Sequence, residues 1–589
     1  MRLADYIADF FVERGIRAVF SVVGGGAMYL NDAFGANESL QCIYNHHEQA
    51  CTMAAEAYSR ITGVPAIACV TSGPGGTNAL TGVLCAWQDS LPVIIVSGQV
   101  RYATTVESTG LALRQFGEQE YTIIPSVAPM TKYAHMIVDP SRIRYHLEKA
   151  WWHAMEGRKG PVWLDVPLDI QNSQIEPDEL EGYSPAILNY QQQNIGNVLA
   201  SLSKAERPVI LAGSGIRSSG AYEIFKKVVE RLGMPVLAAT SVADLFCINE
   251  KVYCGNFGVF GGRAGNSIVQ NADLLLAVGC SLSFKHTGFN YEKFAEKAKI
   301  IVVNVDPEEL QKPTLNIDIP IWSNLNSFFK SLLDSELPAF VFSEEWLQYC
   351  FRLKNNYPIF QPKFEQDDAI NPYYVAKRIN EALPDNSIEV LGNSIACVCS
   401  LQMGISKNGQ RKFGNINCGT MGYDLPASIG ASIASGSEVF CLTGDGSIMM
   451  NLQELQTISS NKLPIKIVVF NNNGYHALTL SQMAQFGRLT GCTSTSGLVT
   501  PGFEKIANAF GISYYRASCK TEFDQVLDLF LDEQGAALFE LSLDYSQSIE
   551  PKVTTRKKED GTLYSPPIHD MFPFLEAEEI SKLSYDWKG

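Results

Sequence analysis

Asp445 and Asn472 stand 27 residues apart, within Gly444-Asp445-Gly446-Ser447 and Asn471-Asn472-Asn473-Gly474, and that interval restricts the fold. It accommodates a loop, a helix and a buried strand, the crossover that returns a chain to a parallel sheet and brings both side chains to one edge of it. Two oxygen ligands then converge on one point. They suit magnesium, a small hard cation that takes octahedral oxygen ligands, keeps water and completes its shell with phosphate oxygens. Asp445 would supply the charge, Asn472 a neutral oxygen and Gly474 a backbone carbonyl. Ser447 opens the next helix, Ile448 to Leu455, so the amides around Gly446 and Ser447 point at phosphate with the helix dipole behind them. No Walker lysine follows, which sets this turn apart from a nucleotide P-loop.

Gly-Asp-Gly followed at this interval by Asn-Asn resembles the signature of the thiamine diphosphate-dependent enzymes. The resemblance implies an activating acid far upstream. Tyr44-Asn45-His46-His47-Glu48-Gln49-Ala50 sits where an apolar strand ends and a small-residue helix begins, and Glu48 takes the place of the family's glutamate, with His47 before it. A thiazolium carbon becomes nucleophilic only when its proton is removed, and no ordinary side chain is basic enough for that. A carboxylate bonded to the aminopyrimidine ring favours the tautomer whose nitrogen takes the proton. Alone, a first-turn glutamate serves the helix dipole equally well.

Length and composition describe a large enzyme with buried α/β cores: 589 residues, 46% hydrophobic and 18% charged. The formal charge of −16 argues against nucleic acid or an anionic membrane as partner. The amino end enters an amphipathic helix (Leu3, Ile7, Phe10, Phe11) without the layout of a signal peptide, and no apolar run reaches membrane-spanning length. A cytoplasmic address is expected. The fourteen cysteines lack the paired spacing of a zinc site and read as reduced core residues.

Three blocks alternate strand and helix signals, which predicts an α/β chain of three doubly wound parallel-sheet domains. The first block, residues 1–172, ends on the strand-and-turn run Gly160 to Asp169, and the polar stretch Asn172 to Gln193 is a linker. The second, residues 194–342, opens on Pro208 to Gly215, and an aromatic helical connection from Ser343 to Asp368 follows it. The third, residues 369–549, holds the metal segment. Residues 550–589 form a charged, proline-containing tail, either mobile or an ordered cover.

This order matches the pyrimidine-binding, central and diphosphate-binding domains of the acetohydroxyacid synthase branch. Val23-Gly24-Gly25-Gly26 resembles its glycine turn near the cofactor, with Val23 where proline is usual. Ser72-Gly73-Pro74-Gly75-Gly76-Thr77-Asn78 is similar to its Ser-Gly-Pro-Gly-Ala-Thr-Asn, which places Gly75 and Asn78 at the cofactor. Gly419-Thr420-Met421-Gly422-Tyr423-Asp424 resembles the segment whose hydrophobic residue, here Met421, wedges between the cofactor rings and holds them at near-contact distance. Gly392-Asn393-Ser394 aligns with a diphosphate-holding turn, and Gln119-Glu120 with a Gln-Glu pair near the reacting carbon. Gly419, Asp424, Gly446 and Ser447 complete the implied cofactor contacts. Family geometry implies a homodimer or homotetramer, with Glu48 and Asp445 of one site contributed by different subunits.

Departures from the branch narrow the function. Its acceptor pocket carries a tryptophan where this chain has Ser481, which implies a wider, more polar pocket. Asp424 replaces a usual glycine. Gly279 to Gly288 lacks the arginines that help hold a structural flavin, whereas Gly261 to Asn266 resembles the neighbouring flavin contact, so flavin occupancy stays open. With the tail, these differences look like the side branch of branched-sugar carboligases. The resemblance implies decarboxylation of a 2-oxo acid, pyruvate first, and transfer of the two-carbon unit to a carbonyl acceptor such as a keto-sugar nucleotide. Acetolactate formation from two pyruvates, hydrolysis of a cyclic dione and a non-catalytic homologue are the alternatives.

Overall fold

The computed structural model describes residues 1–186, 188, 190, 195–336, 342–543, 545–558 and 560–586. Part of the first linker (187, 189 and 191–193), the central block's first residue (194) and residues 337–341, 544, 559 and 587–589 lie outside them. Each of the three blocks builds a six-stranded sheet. The first contains β1 (Ala18–Ser21), β2 (Gln41–Tyr44), β3 (Ile67–Val70), β4 (Ile94–Gln99), β5 (Tyr133–Met136) and β6 (Val162–Pro167), in the order β2-β1-β3-β4-β6-β5. The central sheet contains β7 (Pro208–Ala212), β8 (Val236–Ala239), β9 (Tyr253–Phe257), β10 (Leu274–Val278), β11 (Lys299–Asn304) and β12 (Ile319–Trp322), in the order β12-β11-β10-β7-β8-β9. The third contains β13 (Ile388–Leu391), β14 (Arg411–Gly414), β15 (Val439–Gly444), β16 (Ile465–Asn471), β17 (Ser513–Ala517) and β18 (Ala537–Ser542), in the order β14-β13-β15-β16-β18-β17.

The pairings β1–β3, β10–β7 and β15–β16 are parallel, and β3, β7 and β10 are buried along their whole length. Continuous apolar runs are what strands covered by helices on both faces require. Helices supply that cover: Leu3–Glu13, for one, buries the expected Leu3, Ile7, Phe10 and Phe11.

The chain forms two compact units. The first gathers Met1–Ile187, Ile388–Asn393 and Gly414–Ser542, hence the first sheet together with β13 and β15 to β18. Inside it the helix Glu48–Thr62 crosses Asp424–Ser435 so closely that a Cβ on Gly430 would lie 2.0 Å from the backbone oxygen of Ala54. Only a glycine permits that approach. The second unit gathers Leu188–Ser387, Ser394–Phe413 and Leu543–Gly589 around the central sheet. The tail is built into this unit's core, where Val553, Ile568, Met571 and Leu583 are buried. Its backbone is clasped as well: Arg263 donates to the carbonyls of Met571 (3.3 Å) and Pro573 (2.7 Å), and Asn266 to that of Ile568 (2.9 Å). The turn that resembles a flavin contact is thus engaged by the chain's own carboxyl end.

Candidate active site

Two half-sites lie at the carboxyl ends of parallel strands, the edge at which open α/β sheets bind ligands. The first belongs to the amino-terminal sheet. After β2, three residues turn the chain into the helix Glu48–Thr62, with His47 as its cap: the His47 ring accepts from the amide of Gln49 at 3.1 Å. Glu48 is the first helical residue, only 9% exposed, and its Oε2 accepts from Asn78 Nδ2 at 3.0 Å. Asn78 reaches it because Pro74 starts the helix Pro74–Asp89 after a three-residue turn from β3. The same turn brings Gly75 close, since a Cβ there would lie 3.5 Å from Glu48 Oε1.

Gln119 joins this group through its backbone. Its φ of 55° turns its carbonyl onto Gly73, where a Cβ would approach within 2.1 Å. Glu120 organises that loop by accepting from the amides of Val106, Phe116 (3.0 Å) and Gly117 (3.1 Å). Thr71, which follows β3 and had no signal in the sequence beyond preceding Ser72-Gly73, ties in the glycine turn. Its hydroxyl accepts from Gly26 N at 3.1 Å, and a Cβ on Gly24 would lie 2.5 Å from Thr71 Cβ. Gly25 faces open space. Glu48, His47, Gly24, Gly25, Gly75, Asn78 and Gln119 therefore share one edge of the first sheet.

The second half-site belongs to the third sheet. Gly444 of β15 sits opposite Phe470 of β16, so Asp445 and Asn472 emerge at the same edge, as the 27-residue spacing predicts. Asp445 is 1% exposed and accepts from Gly446 N at 3.0 Å and Gly474 N at 2.7 Å. Burial pushes its pKa up to about 6, against the pull of these backbone donors. Asn472 Oδ1 is buried with no protein partner. A carboxylate beside an unpartnered amide oxygen is a hard-oxygen donor set, and the residues fit magnesium. No cluster of three His, Cys, Asp or Glu side chains occurs among the described residues, so a cation here would complete its shell with ligand oxygens and water.

Around this loop Ser447 Oγ donates to Asp424 Oδ2 at 2.5 Å and accepts from Gly422 N at 3.0 Å. Asp424 is fully buried, and desolvation raises its pKa while the Ser447 hydroxyl opposes the rise. A Cβ on Gly392 would lie 2.6 Å from Asp424 Oδ2, and Asn393 donates to the carbonyl of Gly419. Gly446 is closed in by Tyr475, with Met421 Cε 3.4 Å from where its Cβ would be. The second half-site thus brings together Asp445, Gly446, Ser447, Asn472, Gly474, Gly392, Asn393, Gly419, Met421 and Asp424. Ser394, with a φ of 55°, opens the helix Ser394–Met403 and falls in the other compact unit. One local expectation changes: the run after Ser447 is not a single helix. Asp445–Ile448 gives way to a 3₁₀ turn at Met449–Asn451, and a new helix starts at Glu454.

A parallel-sheet protein with a buried acid at one strand edge and an oxygen-lined loop at another is the class this geometry defines. Comparison with known proteins narrows it. The chain matches the thiamine pyrophosphate enzyme N-terminal TPP binding domain over residues 1–120, the central domain over 195–332 and the C-terminal TPP binding domain over 395–541. It is 30% identical to the probable acetolactate synthase large subunit of Methanocaldococcus jannaschii over 569 residues, 93% of each chain. It is also 30% identical to the acetolactate synthase large subunit of Lactococcus lactis, over 92% of each chain. The large subunit of Escherichia coli acetolactate synthase isozyme 2 is 28% identical, over 94% of this chain and 97% of that one. The protein belongs to the thiamine pyrophosphate enzymes and is an enzyme of their acetolactate synthase-like, decarboxylating carboligase family. No helix among the described residues is long and apolar enough to cross a membrane.

Proposed function

We propose that this enzyme, with thiamine diphosphate and magnesium, decarboxylates a 2-oxo acid, pyruvate first, and adds the two-carbon unit to a carbonyl acceptor such as a keto-sugar nucleotide. The observation that carries this reading is the pair of half-sites: a carboxylate clasped by an amide at Glu48–Asn78, and an oxygen-lined loop at Asp445 and Asn472. Thiamine diphosphate, when bound, supplies a nucleophilic thiazolium carbon and a ring that stores the electrons released with carbon dioxide. Glu48 would bond the aminopyrimidine ring nitrogen, and Asn78 holds that carboxylate in one orientation. Asp445, Asn472 and the Gly474 carbonyl would hold the metal, with the Ser447 amide facing the diphosphate beside Gly446, whose own amide braces Asp445. Met421 would hold the two rings at near-contact distance, beside Asp424, Gly392, Asn393 and Gly419. His47 and Gln119 are assigned to the reacting carbon from the first half-site, beside Gly24, Gly25 and Gly75.

The acceptor assignment is supported by Ser481, an exposed small residue whose hydroxyl bonds back to Ala477 O at 2.9 Å. A small side chain there leaves room that a tryptophan would fill. Acetolactate formation from two pyruvates is the second reading, favoured by the names of the relatives. Mass spectrometry of products from pyruvate, alone and with a panel of carbonyl acceptors including keto-sugar nucleotides, separates the two. A mixed carboligation product supports the first reading; acetolactate alone, whatever acceptor is added, overturns it. Absence of carbon dioxide release from any 2-oxo acid would remove the donor assignment, as hydrolysis of a cyclic dione requires.

The active form in this reading is a dimer or tetramer with Glu48 and Asp445 of one site drawn from different chains. The uncharged helix His476–Phe486, beside the metal loop, supports it by leaving Leu478, Met483 and Phe486 exposed by 51, 50 and 67%. An active monomer in sedimentation would contradict it. A cytoplasmic location accords with fourteen cysteines none of which forms a disulfide among the described residues.

A further inference from the structure

Glu454 is fully buried, yet none of the assigned roles uses it. Its Oε1 accepts from the backbone amide of His46 at 3.0 Å, and its Oε2 from Asn45 Nδ2 at 2.8 Å and Thr457 Oγ1 at 2.7 Å. A carboxylate without water is costly unless its lone pairs are occupied, and charge-assisted bonds of this kind are the strong ones. Two of the three donors come from 408 and 409 positions away in sequence, both from the turn that immediately precedes His47 and Glu48. From the other side, Asn45 N donates to Ser21 O at 3.0 Å, at the end of β1. The turn is therefore held between the first sheet and the start of the helix Glu454–Ser460, which follows the metal loop.

We propose that Glu454 is a positioning residue for Glu48: it fixes the turn from which the activating carboxylate is offered, without touching the cofactor. The proposal rests on the reading of Glu48 as the activating acid. Glu48 occupies the first helical position, so the direction in which its side chain leaves is set by the backbone of residues 45 to 47. Asn78 fixes only the outer end of the carboxylate. Catalysis is sensitive to displacements of an ångström at such a group, which gives a remote carboxylate a large lever.

The test is deuterium exchange of the thiazolium C2 proton in the holoenzyme, followed by quenched-flow proton NMR, beside titration of thiamine diphosphate in the presence of magnesium. Glu454→Gln retains the shape but replaces the carboxylate with a neutral amide, so the charge-assisted bond from Asn45 Nδ2 is lost and an amide flip at Asn45 restores only a weaker neutral pair. Exchange should slow by about tenfold or more, while affinity for thiamine diphosphate changes by less than about threefold. In the double variant N45D/E454Q donor and acceptor trade places, and exchange should recover to within about threefold of the parent. Exchange at the parent rate in Glu454→Gln overturns the proposal, as does a matching loss of cofactor affinity, which assigns Glu454 to general integrity of the fold. Failure of the double variant to recover also overturns it, because the bonded pair is then restored without restoring the exchange. Glu48→Gln is the control: undiminished exchange there sinks the reading of Glu48 itself, whereas loss there with none in Glu454→Gln removes the positioning role alone.

Discussion

The two half-sites satisfy their polar groups in opposite ways. At the first, Glu48 already has a side-chain partner in Asn78, and Gln119 is placed by its backbone against Gly73. At the second, backbone amides hold Asp445, and the Asn472 oxygen is buried without a protein partner. A group whose bonds are complete within the protein is preorganised and keeps its geometry whether or not a ligand is present. A buried oxygen left without a donor costs free energy that only a ligand or water recovers. In the proposed function the Glu48 end is therefore suited to orientation and the Asp445 end to capture of a metal.

Substitutions that separate turnover from binding break or sharpen this contrast. The largest effect belongs to Glu48→Gln: turnover should fall by about 10²–10⁴-fold, while calorimetric titration finds thiamine diphosphate still bound. Loss of binding would erase the distinction between the two ends. Asp445→Ala should do the reverse, weakening retention of metal and cofactor by about 10–100-fold, a loss that equilibrium dialysis over a magnesium series reads directly, with turnover recovering toward saturation. Turnover that stays depressed at saturating magnesium would assign Asp445 to chemistry as well. Asn78→Ala removes one hydrogen bond to a carboxylate, about 1.5 kcal/mol or roughly tenfold in kcat, with KM little changed. A rise in KM instead would make Asn78 a binding contact.

The smallest effect is on stability. Asp165 is fully buried in β6 and accepts from Ser97 Oγ at 2.6 Å and from Gln99 Nε2 at 3.2 Å; the Gln99 amide also bonds Tyr121 O, at the end of the Gln119 loop. Burial pushes its pKa up to about 7. Its folded-state pKa exceeds the unfolded one, so its contribution is fully present below about pH 4 and is lost as pH rises through about 7. Asp165→Asn should remove that slope, gaining on the order of 1 kcal/mol on the parent at pH 8 in urea denaturation and flattening the profile between pH 4 and 8. An unchanged slope would show that Asp165 does not govern it, and that the first half-site's support is insensitive to this charge.

Much of the candidate site was legible because its signals are local. Gly444 to Ser447 and Asn471 to Gly474 each fit within one strand-to-loop junction, and the parallel register carried both to one edge. Ser72 to Asn78 is likewise a single turn and the helix it starts, so Asn78 was found although its bond to Glu48 was not. Thr71 and Glu454 escaped because each acts on backbone supplied by a distant segment, and no spacing records that. The broken helix after Ser447 escaped for a different reason: the apolar pattern of Ile448 to Leu455 continues through the 3₁₀ turn at Met449–Asn451.

Alone, the amino-acid sequence determined three parallel sheets, their strand-edge loops and the residue types proposed to hold a diphosphate and its metal, because periodicity and short motifs encode contacts between near neighbours. Tertiary structure alone decided which partner completes each buried charge: Asn78 for Glu48, the turn at Asn45–His46 for Glu454, and Arg263 for the carbonyls of the tail. Hydrogen bonds between residues 30 to 409 positions apart leave no repeat in the chain, and they exist only once packing has excluded water from both sides.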